Sequence, residues 1–409
     1  MKRIKILLLL FLFSSFVFGQ QFSEEKITAL QQSLDLIIVP VNDAGIKVSC
    51  MVMHADYNKV LYEYKPEALM IPASITKLVT CGCAYARLGQ GFNISTIVYT
   101  DDGDINDGII NGNLYLKGYG DPDLNSSDIS RLAKIIIEKG IKEITGNIVA
   151  DESFFDTDYK TLSGNYNGDT GPSYWPYISA LSLNKNSGKY DPSTSAATLL
   201  SEELSYGGAS VYGTVISGTT PNGAKVVAEI SHNLFDVLSY MCKESDNHSA
   251  ITMFKLLGAK FSGNPGSIIG GQEVVSTFLG EIGVSRNSYE ILEGSGLTRY
   301  NKVSADLYMK LLKYFYDDRI LFDYYMNSLS IAGKDGTLKK RMIGTEAEGN
   351  VFAKTGTLNG VSALSGYVID KDSEILIFYV VMNGFSGNAS SMRDVQDLVC
   401  ITLAGYSRN

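Results

Sequence analysis

The chain has little histidine, and fewer positive charges than negative ones. Its 409 residues include three histidines, His54, His232 and His248, and no two stand four residues apart. A helical zinc site or a histidine-based triad has little to be built from. Lys and Arg total 35 against 44 Asp and Glu, a net charge of −9, which excludes a chain-wide basic footprint for nucleic acid. Beyond the first twenty residues, no apolar run approaches the roughly 20 residues of a membrane span. Five cysteines (Cys50, Cys81, Cys83, Cys242 and Cys400) contain no Cys-x-x-Cys pair. An odd number leaves at least one thiol outside any internal disulfide, and they read as small buried hydrophobes.

What is present is an ordinary globular composition, 45% hydrophobic and 19% charged, in a chain long enough for two or three domains. Lys2, Arg3 and Lys5, an apolar run over 6–18 and a small residue at Gly19 read as an export signal, residues 1–19. No cysteine follows the run, which argues against a lipid anchor. An uncleaved N-terminal anchor is the alternative. An exported, periplasmic protein is the expectation.

Apolar spacing predicts a helix over 24–38, strands over 45–53 and 59–64, and a long helix over 77–88 ended by Gly89. From about residue 90 to 230 the chain turns rich in Gly, Asn, Asp, Ser and Tyr, with short strands at 113–117 and 147–150. One amphipathic helix lies between them, over 127–139. Helices return over 235–243 and 249–257. Apolar strands at 361–370 and 374–383 and a helix over 391–404 close the chain. Strands near both ends of the sequence predict one antiparallel sheet, interrupted by an insertion. The expected domains are 20–90 together with 231–409, and an inserted unit over 91–230.

Three short motifs carry chemistry. In Ser-x-x-Lys on a helix, positions i and i+3 share a face, so a lysine of lowered pKa can serve as base to the hydroxyl. The chain has three: Ser23/Lys26, Ser74/Lys77 and Ser182/Lys185. The first adjoins the export segment, and the third runs into Asn186-Ser-Gly188, which breaks a helix. Only Ser74 follows a proline turn at the start of a strong helix, whose N-terminal dipole would favour an oxyanion. Taken alone, Ser74 has a plain alternative as a helix cap. Ser245-Asp246-Asn247 lies between two apolar helices, where a short polar link would face a cleft. Lys354-Thr355-Gly356 occurs once, followed by Thr357, in a strand-like stretch. A lysine on a sheet edge can attract a substrate carboxylate, and the glycine would leave room for a peptide against the strand. The plain reading of Lys354 is a solvated edge-strand charge.

In this order, the three motifs are the signature set of penicillin-binding proteins and serine β-lactamases. Gly118-Tyr-Gly-Asp-Pro-Asp-Leu124, Gly146-Asn-Ile-Val-Ala-Asp151, Glu293-Gly-Ser-Gly-Leu-Thr-Arg299 and Ala353-Lys-Thr-Gly-Thr357 resemble segments of the D-Ala-D-Ala carboxypeptidase/endopeptidase family, the type-4 low-molecular-mass penicillin-binding proteins. The resemblance spans nearly all of the chain after residue 19. Glu293 stands where the family usually has Asp. The insertion reads as shorter than the family's, with 195–221 as the trimmed part.

The resemblance implies an α/β (α+β) fold, an antiparallel sheet flanked by helices with a smaller inserted α/β domain. It implies Ser74 as nucleophile, Lys77 as general base and Ser245 as proton relay helped by Lys354. Asn247 would hold the substrate amide, with Thr355, Gly356 and Thr357 lining the substrate strand. The backbone N–H groups of Ser74 and Thr357 would form the oxyanion hole. No metal or organic cofactor is called for. The implied partners are peptidoglycan stem peptides and, as covalent inhibitors, β-lactams. A β-lactamase is the runner-up; it needs an extra base, for which no Glu is clearly placed, Glu152 and Glu203 being the ones left open. A non-catalytic cell-wall-binding or penicilloyl-sensor protein is the rival of another class. Lys354 is the expected cation that lowers the pKa of Lys77. Relatives use an acidic residue of the insertion to hold a free side-chain amine. Asn167-Gly-Asp-Thr-Gly-Pro-Ser-Tyr-Trp175 resembles that region, pointing to Asp169 as the carboxylate and Trp175 as an apolar wall. A solvated loop carboxylate and a core tryptophan are the plain alternative.

Overall fold

The computed structural model describes residues 22–160, 175–187 and 191–408. The expected export segment and Asp169 lie outside the described residues.

Helix α1 (Glu24–Asp43) starts at a Ser23 cap, and its stripe of Ile27, Leu30, Leu34, Ile38 and Val41 is buried. It runs past the expected end at 38 and takes Pro40 within it. Strands β1 (Lys47–His54) and β2 (Lys59–Tyr64) follow, then a 3-10 turn, Ala73–Ile75, and α2 (Thr76–Leu88). Gly89 stops α2 with φ +78°, a conformation glycine adopts without strain.

The middle of the chain begins with β3 (Asn93–Thr100), β4 (Ile109–Ile110), β5 (Leu114–Gly118), α3 (Ser126–Glu138), β6 (Glu143–Ile144) and β7 (Ile148–Asp151). It continues with α4 (Pro192–Tyr206), β8 (Ser210–Val211), β9 (Val215–Ser217) and β10 (Lys225–Asn233). Helices α5 (Leu234–Lys243), α6 (Asn247–Phe261) and α7 (Ile268–Glu281) come next. They are followed by β11 (Tyr289–Glu290), β12 (Lys302–Val303), α8 (Ala305–Asp317), α9 (Arg319–Asn327) and β13 (Ser330–Ile331). The chain closes with β14 (Val351–Leu358), β15 (Val361–Ile369), β16 (Ile375–Asn383) and α10 (Ser390–Ala404).

The main sheet has the order β13-β14-β15-β16-β1-β2. All its pairings are antiparallel, and β1 lies directly on β16 with Lys47 opposite Asn383. Strands from both ends of the sequence therefore share one sheet. Both faces of this sheet are covered, which is why β15 and β16 read as near-continuous apolar runs. Ile377, Tyr379 and Val381 face a core with α2, α6 and α8, while Leu376, Phe378, Val380 and Met382 face α1 and α10.

A second sheet has the order β10-β3-β5-β7-β9, antiparallel from β10 to β5 and parallel from β5 to β9. Helices α3 and α4 pack on it around a separate apolar core. Strands β3 and β10, where the chain leaves α2 and returns to α5, are antiparallel neighbours, so the insertion enters and exits side by side. The stretch 195–221, expected to be trimmed, holds most of α4 together with β8 and β9. The helix escapes a periodicity reading because its Ser- and Thr-rich first turns show little contrast between faces. Trp175 is 2% exposed and lies in the helical core beside the main sheet. This corrects the expectation of an apolar wall to a substrate pocket.

Candidate active site

Ser74 lies in the 3-10 turn just before α2, not on the helix itself. That turn is held under strain: Ala73, fully buried, has φ +49°, a left-handed conformation costly for a residue with a Cβ. Two glycines close on it. A Cβ on Gly296 would lie 1.9 Å from the Ala73 carbonyl oxygen, and one on Gly356 would lie 2.6 Å from the Pro72 carbonyl oxygen and 3.1 Å from the Ser74 amide nitrogen. Gly356 is thus small so that β14 can lie against the turn that carries Ser74. This corrects the reading in which it makes room for a peptide.

At the second position of α2, Lys77 is completely buried. Its ammonium donates to Ser74 Oγ at 3.1 Å, Asn247 Oδ1 at 2.7 Å and the Ser295 carbonyl at 2.7 Å, which uses its three N–H donors. Burial pushes its pKa down to about 8, against the opposing pull of Glu293, Asp246 and Cys242. Lys354, on β14 and also fully buried, donates to Ser245 Oγ at 2.8 Å and to the Thr355 carbonyl at 2.8 Å. Burial first, and then the charge of Lys77, pushes its pKa down to about 7. The plain alternative for Lys354, a solvated edge charge, does not hold, since the side chain is fully buried. The expectation that Lys354 lowers Lys77 is corrected: desolvation is the largest cause at Lys77, and Lys354 is not among the groups that shift it.

Ser245 sits at φ +59°, a second left-handed non-glycine residue in the site. Asp246 caps α6, accepting from the Ser249 N–H at 2.7 Å, and Asn247 opens the helix toward Lys77. Strand β13 pairs only with Phe352 and Ala353 of β14. Among the described residues, β14 therefore has an unpaired edge from Lys354 onward. A cavity of about 590 Å³ opens there, lined among others by Ser74, Ser245, Thr337, Thr355, Gly356 and Thr357. The structure thus brings together Ser74, Lys77, Ser245, Asn247, Lys354, Thr355, Gly356 and Thr357. Glu152 and Glu203 do not line this cavity; Glu152 instead accepts from Tyr159 Oη and Ser179 Oγ.

Sequence reasoning quoted Glu293–Arg299, the turn that follows β11, as a resemblance but missed its part in the site. Glu293, completely buried, accepts from the Ser295 N–H at 2.6 Å, Ser295 Oγ at 2.5 Å and the Gly296 N–H at 2.7 Å. Its carboxylate folds the Glu293-Gly-Ser-Gly turn so that the Ser295 carbonyl faces Lys77 and Gly296 faces Ala73. Thr337, bonded to Thr355 Oγ1 at 2.9 Å, was also missed, since nothing in Asp335-Gly-Thr-Leu338 marks it. Among the described residues, one group of metal-type donors is close enough to share an ion: His54, Asp370 and Glu374. Both Glu374 oxygens accept from Arg408, at 2.6 and 2.7 Å, and His54 takes one of them at 2.9 Å. That cluster fastens the chain's end to the β15–β16 turn.

A strained serine turn, a buried lysine against its hydroxyl and a Lys-Thr-Gly strand beside an antiparallel sheet define a serine peptidase of the penicillin-binding fold. The chain belongs to the D-Ala-D-Ala carboxypeptidase 3 (S13) family, whose model matches residues 30–190 and 187–403. It is similar to a D-alanyl-D-alanine carboxypeptidase of Actinomadura sp. (strain R39), 27% identical over 471 residues that cover 94% of this chain and 86% of the relative. It is 25% identical to the D-alanyl-D-alanine carboxypeptidase DacB of Haemophilus influenzae, over 84% of this chain and 86% of that one. The fold matches the crystal structure of penicillin-binding protein 4 from Haemophilus influenzae with a TM-score of 0.78 at 23% identity, covering 93% of this chain and 99% of that one. A predatory endopeptidase of Bdellovibrio bacteriovorus, in complex with its immunity protein, matches with a TM-score of 0.58 at 18% identity, over 87% and 92% of the two chains.

Proposed function

We propose that this D-Ala-D-Ala carboxypeptidase works through an acyl-enzyme on Ser74, with Lys77 as the general base. The observation that carries the reading is the fully buried Lys77 amine 3.1 Å from Ser74 Oγ. Once neutral, Lys77 keeps two N–H donors for Asn247 and the Ser295 carbonyl, and its lone pair is left for the Ser74 hydroxyl proton. Ser74 Oγ attacks the carbonyl of the penultimate D-Ala, and Lys77 takes the proton. The backbone N–H groups of Ser74 and Thr357 hold the developing oxyanion; the close approach of Gly356 to the Ser74 amide supports this pairing. Ser245 relays to the leaving D-Ala amine the proton that Lys77 took from Ser74, helped by Lys354, which holds its Oγ at 2.8 Å. Water then releases the shortened peptide.

The substrate lies along the unpaired edge of β14 as an added strand. Thr355 and Thr357 bind it there, and Asn247 holds its amide. Peptidoglycan stem peptides are the substrates, and β-lactams acylate the same serine. A structure of the Haemophilus influenzae relative complexed with a β-lactam supports this. Residues 20–90 and 231–409 form the catalytic domain, and 91–230 the inserted one. Residues 1–19 direct export and are removed, giving a periplasmic enzyme; no described helix is long and apolar enough to cross a membrane. An N-terminus after Gly19, found by mass on the exported protein, supports this, and an intact N-terminus contradicts it.

The test of activity is D-Ala release from a peptide ending in D-Ala-D-Ala, run beside hydrolysis of a chromogenic cephalosporin. The carboxypeptidase reading requires D-Ala release with slow cephalosporin turnover. Fast cephalosporin turnover favours a β-lactamase, and no D-Ala release a penicilloyl sensor. Asp169 is retained as the carboxylate for a free side-chain amine. Its test compares Asp169→Asn with wild type on peptides with and without that amine. Loss confined to the amine-bearing peptide supports the assignment, and equal activity on both peptides sinks it.

A further inference from the structure

The third Ser-x-x-Lys pair was set aside because its surroundings break a helix. They do so in an unusual way. Asn184, Lys185 and Asn186 have φ of 50°, 54° and 55°, three successive non-glycine residues in the left-handed region. Each such residue costs on the order of 1 kcal/mol or more, and they persist only where neighbours over-determine them. The neighbours here do that. The Asn184 N–H donates to the Leu124 carbonyl at 2.9 Å. Asn186 Oδ1 accepts from the Leu183 N–H at 3.0 Å, and its Nδ2 donates to the Tyr177 carbonyl at 2.8 Å.

The strained turn delivers one side chain to the catalytic helices. Lys185 Nζ donates to Asp123 Oδ1 at 2.7 Å and to Ser249 Oγ at 3.0 Å. It lies 3.5 Å from Asp246 Oδ1 and 4.4 Å from the centre of the Tyr240 ring. Asp123 belongs to the Gly118–Leu124 segment and Tyr240 to α5. The loop Ser245-Asp246-Asn247 is thus gripped at its middle residue by a cation from the inserted region. On either side of that residue stand Ser245, itself left-handed, and Asn247, which accepts from Lys77.

We propose that Lys185 is a positioning residue, the latch through which the inserted region holds the Ser245-Asp246-Asn247 loop in the geometry that Lys77 requires. The proposal rests on the reading of Ser74 and Lys77 as the acylating pair. Its electrical consequence follows from the charges present. Asp246 faces Lys185, Lys77 and His248, and burial pushes His248 down to about 4, so it is neutral. Lys77 faces Glu293, Asp246, Cys242 and Lys354. With Lys185 gone, the negative charge of Asp246 is no longer balanced and holds Lys77 in its ammonium form more tightly.

The experiment is the acylation rate constant with a fluorescent penicillin, measured against pH for wild type, Lys185→Met, Lys185→Arg and Asp123→Asn, with thermal denaturation of each. Lys185→Met is expected to acylate on the order of tenfold more slowly, with the acid limb moved up by roughly half a pH unit. Lys185→Arg should recover most of both. Asp123→Asn, which frees the full charge of Lys185 to act on Asp246, should move the limb to lower pH. A merely structural role would lower the melting temperature and leave the limb in place. A folded Lys185→Met with wild-type rate and limb overturns the latch. If that variant does not fold, an unmoved limb in Asp123→Asn overturns it instead. Wild-type protein that is not labelled at Ser74 sinks the functional reading; normal wild-type labelling with unchanged variants sinks the latch alone.

Discussion

Gly356 and Ser74 are 282 positions apart in sequence, yet a Cβ added to the glycine would lie 3.1 Å from the serine amide nitrogen and 2.6 Å from the Pro72 carbonyl oxygen. Both obstructing atoms are backbone, so relief requires the serine turn or β14 to move. Gly356→Ala should therefore slow acylation by about tenfold or more, since sub-ångström misplacement of reacting groups is costly. Gly91→Ala, where a Cβ meets open space, serves as control and should acylate like wild type. Equal rates for both variants would show that the contact does not position Ser74.

The two lysines set the pH dependence. Lys77 acts as base only when neutral, and its pKa is pushed down to about 8. Acylation should fall as pH drops below about 8, as the ammonium form takes over. Burial is the largest cause at Lys77, and Lys354 is not among the groups that shift it. Lys354→Met should lower the rate and weaken substrate binding while leaving the limb near its wild-type position. A limb moved up by a full pH unit would restore Lys354 as the group that tunes Lys77.

Glu293 acts on Lys77 in two ways. Its charge favours the ammonium form, so Glu293→Gln should move the acid limb to lower pH. Its oxygens also satisfy the buried Ser295 and Gly296 N–H groups. Glu293→Ala leaves these unpaired and should cost about 3 kcal/mol of stability, read by chemical denaturation. Glu293→Asp, the residue usual in the family, should fold and acylate. A Glu293→Ala protein as stable as wild type would contradict the role given to the carboxylate.

Much of this was legible before any coordinates. The order of Ser74, Ser245 and Lys354 pointed to the chemistry, and the apolar runs at 361–370 and 374–383 marked the centre of the sheet. The unread parts depend on contacts between distant segments. The Ser295 carbonyl is a backbone atom, so no side chain in its neighbourhood announces it. The reason for Gly356 lies in the turn at residues 73–75, invisible in the local run. Helix α4 was hidden by its serines and threonines. The lowered pKa of both lysines follows from burial, which spacing along the chain does not reveal.

The central assignment is tested most directly by intact-protein mass after incubation with penicillin, followed by peptide mapping. Wild type should gain one penicilloyl adduct on the peptide that contains Ser74. Ser74→Ala should gain none while keeping its fold, since the Ser74 hydroxyl caps no helix and accepts from Lys77 at the site's surface. Ser23→Ala, which removes the cap of α1, and Ser182→Ala should both be labelled like wild type. An adduct that persists in Ser74→Ala, or that maps to another serine in wild type, would contradict the assignment of Ser74 as nucleophile.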